Sequence, residues 1–126
     1  MVLETKITKK RDYAYIVELR GSLDTETAPD LEAELKEIVD EHTKAVIFDM
    51  AGVEYVSSAG IKVVMWVKKT LGQKRANFGM VNLKPQIKKV FDMVKVLPMI
   101  DIFDDMPEAD KYIDQIIKEE TERQNI

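Results

Sequence analysis

The sequence predicts an α/β fold: a mixed, mostly parallel sheet of about five strands with about four helices. Three observations lead there. Residues 3–19 read as two strands joined by a polar turn, and helix-like and strand-like stretches alternate after them. The chain has 126 residues, 45% apolar and 33% charged, which suits one compact core beneath a charged surface. It holds no linker, repeat or low-complexity tract, so residues 1–126 are read as a single domain.

In chain order, residues 3–8 are predicted to pair across "KKRD" with a strand carrying Tyr13, Tyr15, Val17 and Leu19. Ala14 and Ile16 make this second strand apolar on both faces, which places it inside the sheet, antiparallel to the first. "GSLDTETAPDLEAELKEIVDEH" reads as a loop and then a helix. Thr27 is its N-cap, Pro29 lies in the first turn, and Leu31, Leu35, Ile38 and Val39 form the core stripe. His42 falls at that helix's C-terminal end, where a protonated ring suits the dipole.

"AVIFDM" (45–50) reads as a buried strand, and residues 59–71 as a helix closed near Gly72. "NFGMVNL" (77–83) is the next strand, "PQIKKVFDMV" (85–94) a helix opened by Pro85, and "MIDIF" (99–103) the last strand. Residues 107–123 make a final helix with Tyr112, Ile113, Ile116 and Ile117 on its apolar side; about residues 116–126 are expected to fray.

The bulk properties narrow the function. A net charge of −4 gives no hint of a broad basic face for phosphate backbones, so no direct nucleic-acid partner is expected. The absence of cysteine excludes disulfides, thiolate nucleophiles and cysteine-ligated metal, and suits a reducing compartment. "MVLETKITKK" lacks an apolar leader core, and no run approaches the roughly 18 apolar residues of a membrane span. A cytoplasmic location without membrane association is the expectation.

Enzymatic machinery is also missing. His42 is the only imidazole and is predicted away from Ser58, and there is no G-x-S-x-G elbow, so no catalytic residue is assigned. "GVEYVSSAG" runs from glycine to glycine between a strand and a helix, yet no Lys-Ser/Thr follows and G-x-G-x-x-G is absent. Asp104 and Asp105 read as solvated loop charges. No cofactor and no metal are expected.

Ser58 stands out at the mouth of the 59–71 helix, where capping would explain it. At about 100° per residue, Lys62, Met65, Trp66 and Lys69 fall within about 80° of Ser58, whereas Gly60, Val64, Val67 and Leu71 point the other way. Met65 and Trp66 therefore lie on the side away from the core. They meet either a partner protein or a neighbouring loop or the C-terminal helix. A phosphoryl group on Ser58 would sit at free helix N–H groups, tolerable to the fold but repulsive to an acidic partner.

Three segments in order, "RGSLDTETAPDLE" (20–32), "DMAGVEYVSSAGIKVV" (49–64) and "LKPQIKKVFDM" (83–93), resemble the STAS domain of bacterial anti-sigma factor antagonists. The resemblance implies a single STAS-like domain and a non-catalytic regulator. Its unphosphorylated form would bind an anti-sigma factor that is also a serine kinase and so release a sigma factor; phosphorylation would end binding, and a PP2C-like phosphatase would restore it. By position in "YVSSAG" the implied acceptor is Ser58, with Ser57 as the alternative. Asp24 matches a family position that helps bind the kinase, and a turn role before the following helix explains it equally well. The partner-binding set is thus Asp24, Ser57, Ser58, Lys62, Met65, Trp66 and Lys69. Ser57 stands where the family often has Asp, and "VKVLPM" follows "VFDM" without the family's usual glycine. The competing reading is a constitutive scaffold or nucleotide-sensing module that is never phosphorylated.

Overall fold

A computed structural model describes residues 2–124. The predicted hairpin is formed by β1 (Leu3–Arg11) and β2 (Ala14–Leu23). Its turn falls later than "KKRD" suggested, with Tyr13 in the left-handed region (φ 70°) and its carbonyl accepting from Lys44 and Ala45 N–H at 2.7 and 3.2 Å. There follow α1 (Ala28–Ile38), β3 (Ala45–Val56), α2 (Ser58–Gln73), β4 (Asn77–Val81) and α3 (Pro85–Met93). A 3-10 turn (Leu97–Met99), β5 (Asp101–Phe103) and α4 (Met106–Gln124) complete the order. The sheet runs β1-β2-β3-β4-β5, with β1 antiparallel to β2 and every other pair parallel.

Because the strand order never reverses, right-handed crossovers put α1, α2 and α3 on one face. The pleat sorts the core accordingly. Val46, Phe48 and Met50 of β3 join Leu31, Leu35, Val64, Val67 and Phe91 in the larger cluster, where Phe48 meets Phe78 edge-on at 4.9 Å. Ala45 and Ile47 face the other way and meet Ala109 and Ile113 of α4 in a smaller cluster. Interior strand β2 is apolar on both faces, as its pattern predicts, with Val17 and Leu19 in one cluster and Ala14 and Ile16 in the other.

Helix α4 is held to its face by more than this small core. Lys10 pairs with Asp110 at 3.4 Å, Arg11 with Asp114, and Lys44 with Glu120 at 3.6 Å. Tyr112 O–H donates to Asp101 Oδ2 at 2.6 Å; burial and this carboxylate push the phenol well above its usual range. Helix α4 is regular to Gln124, so the fraying expected over about 116–126 does not occur across 116–124; residues 125 and 126 lie outside the described residues.

Several boundaries differ from expectation for identifiable reasons. Strand β3 does not stop at Met50 but continues to Val56, paired with the end of β2 across two register shifts. Gly72 lies inside α2. The chain turns at Arg75 (φ 58°), whose N–H donates to Gly72 while Ala76 N–H reaches back to Leu71. Helix α3 ends the same way at Lys95 (φ 60°), with Val96 N–H on Phe91, so no glycine is needed there. Helix α1 ends at Ile38, so His42 sits in the following turn, its N–H on Asp40 Oδ1 and its ring 6.0 Å from Tyr13. Asp105 caps α4 by accepting from Glu108 N–H at 3.1 Å, and Glu108 accepts from Asp104 N–H at 2.8 Å.

Candidate functional site

Parallel neighbours deliver their loops to one edge of the sheet. Ser22 pairs with Tyr55 and Leu23 with Val56, so Asp24, following β2, and Ser57-Ser58, following β3, emerge side by side. A backbone bond from Ser57 N–H to the Leu23 carbonyl at 2.9 Å joins the two loops. Gly60 permits this approach: a Cβ there would lie 2.5 Å from Leu23 O and 2.9 Å from Leu23 Cγ. Glycine 21 meets a harder restriction at the same strand end, with φ 115° and a notional Cβ 2.2 Å from Val2 O.

The two serines have different surroundings. Ser57 is the N-cap of α2, half-buried, with its Oγ accepting from Gly60 N–H at 3.3 Å. Ser58 is the first residue of the helix, exposed, and its hydroxyl has no hydrogen bond among the described residues. No acidic side chain stands in the first turn of α2. The capping and free hydroxyls are thus on adjacent residues.

Asp24 has a structural task. Its Oδ1 accepts from Glu26 N–H at 2.9 Å and from Thr27 N–H at 3.1 Å. Thr27 is the N-cap residue of α1, as predicted, but its hydroxyl does not bond into the helix. It accepts from Asp24 N–H at 3.0 Å and donates to the Ser22 carbonyl at 2.8 Å. The pattern recurs at Asp40 and Thr43, where Asp40 accepts from His42 and Thr43 N–H and Thr43 Oγ1 meets Asp40 N–H and the Ile38 carbonyl. The spacing D-x-x-T in "DTET" and "DEHT" is the signal, readable as an Asx turn closed by a threonine.

Lys62 and Lys69 are exposed on the same helix, as counted. Met65 and Trp66 are not on open solvent: both are half-buried and pack against the larger core. Their cover comes from α1 and its layer rather than from α4, which lies on the other face of the sheet; Lys36 Nζ of α1 stands 5.6 Å from the Trp66 ring centroid. They are covered, against the expectation of an outward face, because a helix packed within a layer of helices buries more than the stripe that faces the sheet. What remains open is a groove of about 400 Å³ between α1 and α2, lined among others by Thr25, Pro29, Glu32, Ala59, Lys62 and Trp66. It begins next to Ser58, and sequence patterning gave no sign of it.

A second hollow, about 330 Å³, lies over β1–β3 and is lined by Glu4, Lys6, Glu18, Arg20 and Asp49. Its charges oppose one another, with Lys6 and Glu18 at 3.9 Å. Among the described residues no group of three acids or imidazoles is placed to hold a metal, and no helix is long and apolar enough to cross a membrane.

Known proteins share this fold. The model of the STAS domain matches residues 5–109. The chain is 37% identical over 84 residues to BtrV of Bordetella bronchiseptica, named as a candidate anti-sigma factor antagonist, covering 67% of this chain and 72% of that protein. It is 31% identical over 86 residues to the anti-sigma-B factor antagonist of Staphylococcus epidermidis, covering 68% and 80%. Among solved structures, an anti-sigma factor antagonist from Mycobacterium paratuberculosis superposes with TM-score 0.77 at 22% identity, covering 88% of this chain and 93% of that one. Unphosphorylated SpoIIAA superposes with TM-score 0.75 at 15% identity, covering 86% and 96%.

Proposed function

The chain belongs to the STAS domain family, and on that premise we propose that it is an anti-sigma factor antagonist switched by phosphorylation of Ser58. In the unphosphorylated state the edge formed by Asp24, Ser57 and Ser58, with Lys62, Lys69 and the groove beside Trp66, binds an anti-sigma factor that is also a serine kinase. The sigma factor held by that protein is released. The observation that carries this reading is the contrast between the two serines: Ser57 caps the helix, while Ser58 is exposed with an uncommitted hydroxyl.

In the transfer step the Ser58 oxygen attacks the γ-phosphorus of the kinase's ATP. The oxygen–phosphorus bond to ADP breaks, and the hydroxyl proton passes to a base of the kinase. The product adds about 1.5 to 2 negative charges at the N-terminus of α2, where free N–H groups and the helix dipole tolerate them. Folding is little affected, while a partner seated on that edge meets new bulk and charge. A PP2C-like phosphatase hydrolyses the ester and resets the switch. Met65 and Trp66 contribute chiefly by shaping the groove, because the core already holds much of their surface.

The test is binding of the purified chain and its Ser58→Asp variant to the anti-sigma factor from the same genome. The proposal expects affinity to fall at least about tenfold with an unchanged fold. Equal affinities would remove the switch.

A further inference from the structure

The net charge of −4 hides a strong polarity. Residues 57–99 contain nine Lys or Arg and one acid, Asp92, a net of +8, so the remaining residues carry −12. These basic residues lie on α2 and α3, at the N-cap of α3 (Lys84) and in the turns that follow the two helices, and both helices lie in one layer on one face of the sheet. Lys62, Lys69, Lys88, Lys89 and Lys95 are exposed. Among the described residues only Lys84 of the nine has an ion-pair partner, Glu54 at 4.0 Å. The overall net charge does not reveal this local concentration of basic residues.

An apolar cluster adjoins it. Met93, Val94 and Met99, at the end of α3 and in the 3-10 turn, are 74%, 50% and 51% exposed. Methionine side chains adapt to irregular contact surfaces. The cluster lies away from Ser58: α2 alone spans about 24 Å from Ser58 to its far end, and α3 likewise runs away from the edge where Ser58 sits.

We propose that the outer surface of α2 and α3, with Met93, Val94 and Met99 at its end, is a docking site for an acidic protein surface that also carries apolar side chains. It goes beyond the Ser58 switch: Lys62 and Lys69 on α2 are shared with the edge proposed there, whereas Lys88, Lys89, Met93, Val94 and Met99 belong to this surface alone. Charge complementarity gives the partner's sign, and the apolar cluster supplies the desolvated contact that charge alone lacks. The patch is bounded. On the neighbouring α1, Asp30 and Glu37 are exposed and Glu32 and Glu34 half-buried. Adjacent helices stand about 8–10 Å apart, within a screening length of about 8 Å or little more. A duplex or an anionic bilayer, extending past the patch, would meet those carboxylates; a compact acidic protein surface would not. The segment also lacks an exposed aromatic for base stacking, since Trp66 is half-buried and Phe78 and Phe91 are buried.

Amide-resolved NMR titration tests this with three probes. These are an amphipathic helical peptide of about 20 residues with Glu on one side and Leu and Met on the other, a short DNA duplex, and vesicles with roughly 30% phosphatidylserine. The peptide is expected to shift amides of α2 and α3 and to bind more tightly than either other probe. Lys88→Glu with Lys89→Glu weakens it at least about tenfold, Met93→Ser weakens it several-fold, and Ser58→Asp changes it less than about twofold. All these positions are exposed, so the variants keep the parent spectrum elsewhere. Absent shifts, shifts on α1 or α4, tighter binding of duplex or vesicles, or an equal loss with Ser58→Asp would each overturn the assignment.

Discussion

Replacing the adjacent serines one at a time separates a cap from an acceptor. In Ser57→Ala the Gly60 N–H loses its side-chain partner at 3.3 Å. N-cap losses are typically about 1 kcal/mol, and so long a bond puts this one near 0.5–1 kcal/mol. For a domain of this size, 1 kcal/mol corresponds to roughly 3–6 °C in Tm, so a fall of about 2–5 °C is expected. Ser58→Ala removes an exposed hydroxyl without a bonded partner and should stay within about 0.5 kcal/mol. Ser58→Asp adds a carboxylate to a first turn that has no acid, worth about 0.3–1 kcal/mol in favour of the fold. Thermal and urea unfolding followed by Trp66, the only tryptophan, measures all three. A Ser58→Ala cost equal to that of Ser57→Ala, or a lower Tm for Ser58→Asp, would refute this assignment by showing the Ser58 hydroxyl to be structural.

Gly60→Ala should lower stability by about 1–3 kcal/mol despite alanine's helix propensity, since its Cβ would lie 2.5 Å from Leu23 O; an unchanged Tm would contradict the close approach. Asp24→Asn keeps an oxygen for the Glu26 and Thr27 N–H groups, so it should melt near the parent while losing partner affinity. Asp24→Ala should lose both, and parent-like binding by the Asn variant would leave Asp24 a turn residue only. The His42 backbone N–H, with that of Thr43, holds the Asp40 carboxyl below its ordinary 3.8. Its stabilising contribution is therefore complete above about pH 4 and lost as pH falls through the folded-state value, so Asp40→Asn should flatten the dependence of Tm on pH below 4. Calorimetry with ATP and GTP should give no binding heat for the chain alone, and saturable heat would favour a nucleotide-sensing module.

The fold was readable because its signals are local and repeated. Apolar runs such as "AVIFDM" and the double-sided apolar pattern of β2 identify buried strands, and Pro29 and Pro85 mark helix starts. Helix ends were less readable: Arg75 and Lys95 adopt left-handed conformations that composition does not announce, while Gly72, the expected stop, is an ordinary helical residue. Strand β3 ran past its apolar stretch because backbone pairing with the end of β2, invisible in hydropathy, extends it through exposed Glu54 and Tyr55. At the site, Ser58's exposure followed from counting around the helix, whereas the cover on Met65 and Trp66 depends on where α1 packs. The approach of Gly60 to Leu23 and the groove between α1 and α2 are long-range features that no local pattern encodes.

The central claim is that Ser58 is the phosphate acceptor. Incubating the purified chain with the anti-sigma factor kinase from its own genome and ATP, then mapping the modified residue by mass spectrometry, tests it most directly. The account predicts one phosphoryl group on Ser58, none on a Ser58→Ala variant, and a Ser57→Ala variant still modified. Phosphate confined to Ser57 or to any other residue, or a chain left unmodified while bound to that kinase, would contradict it.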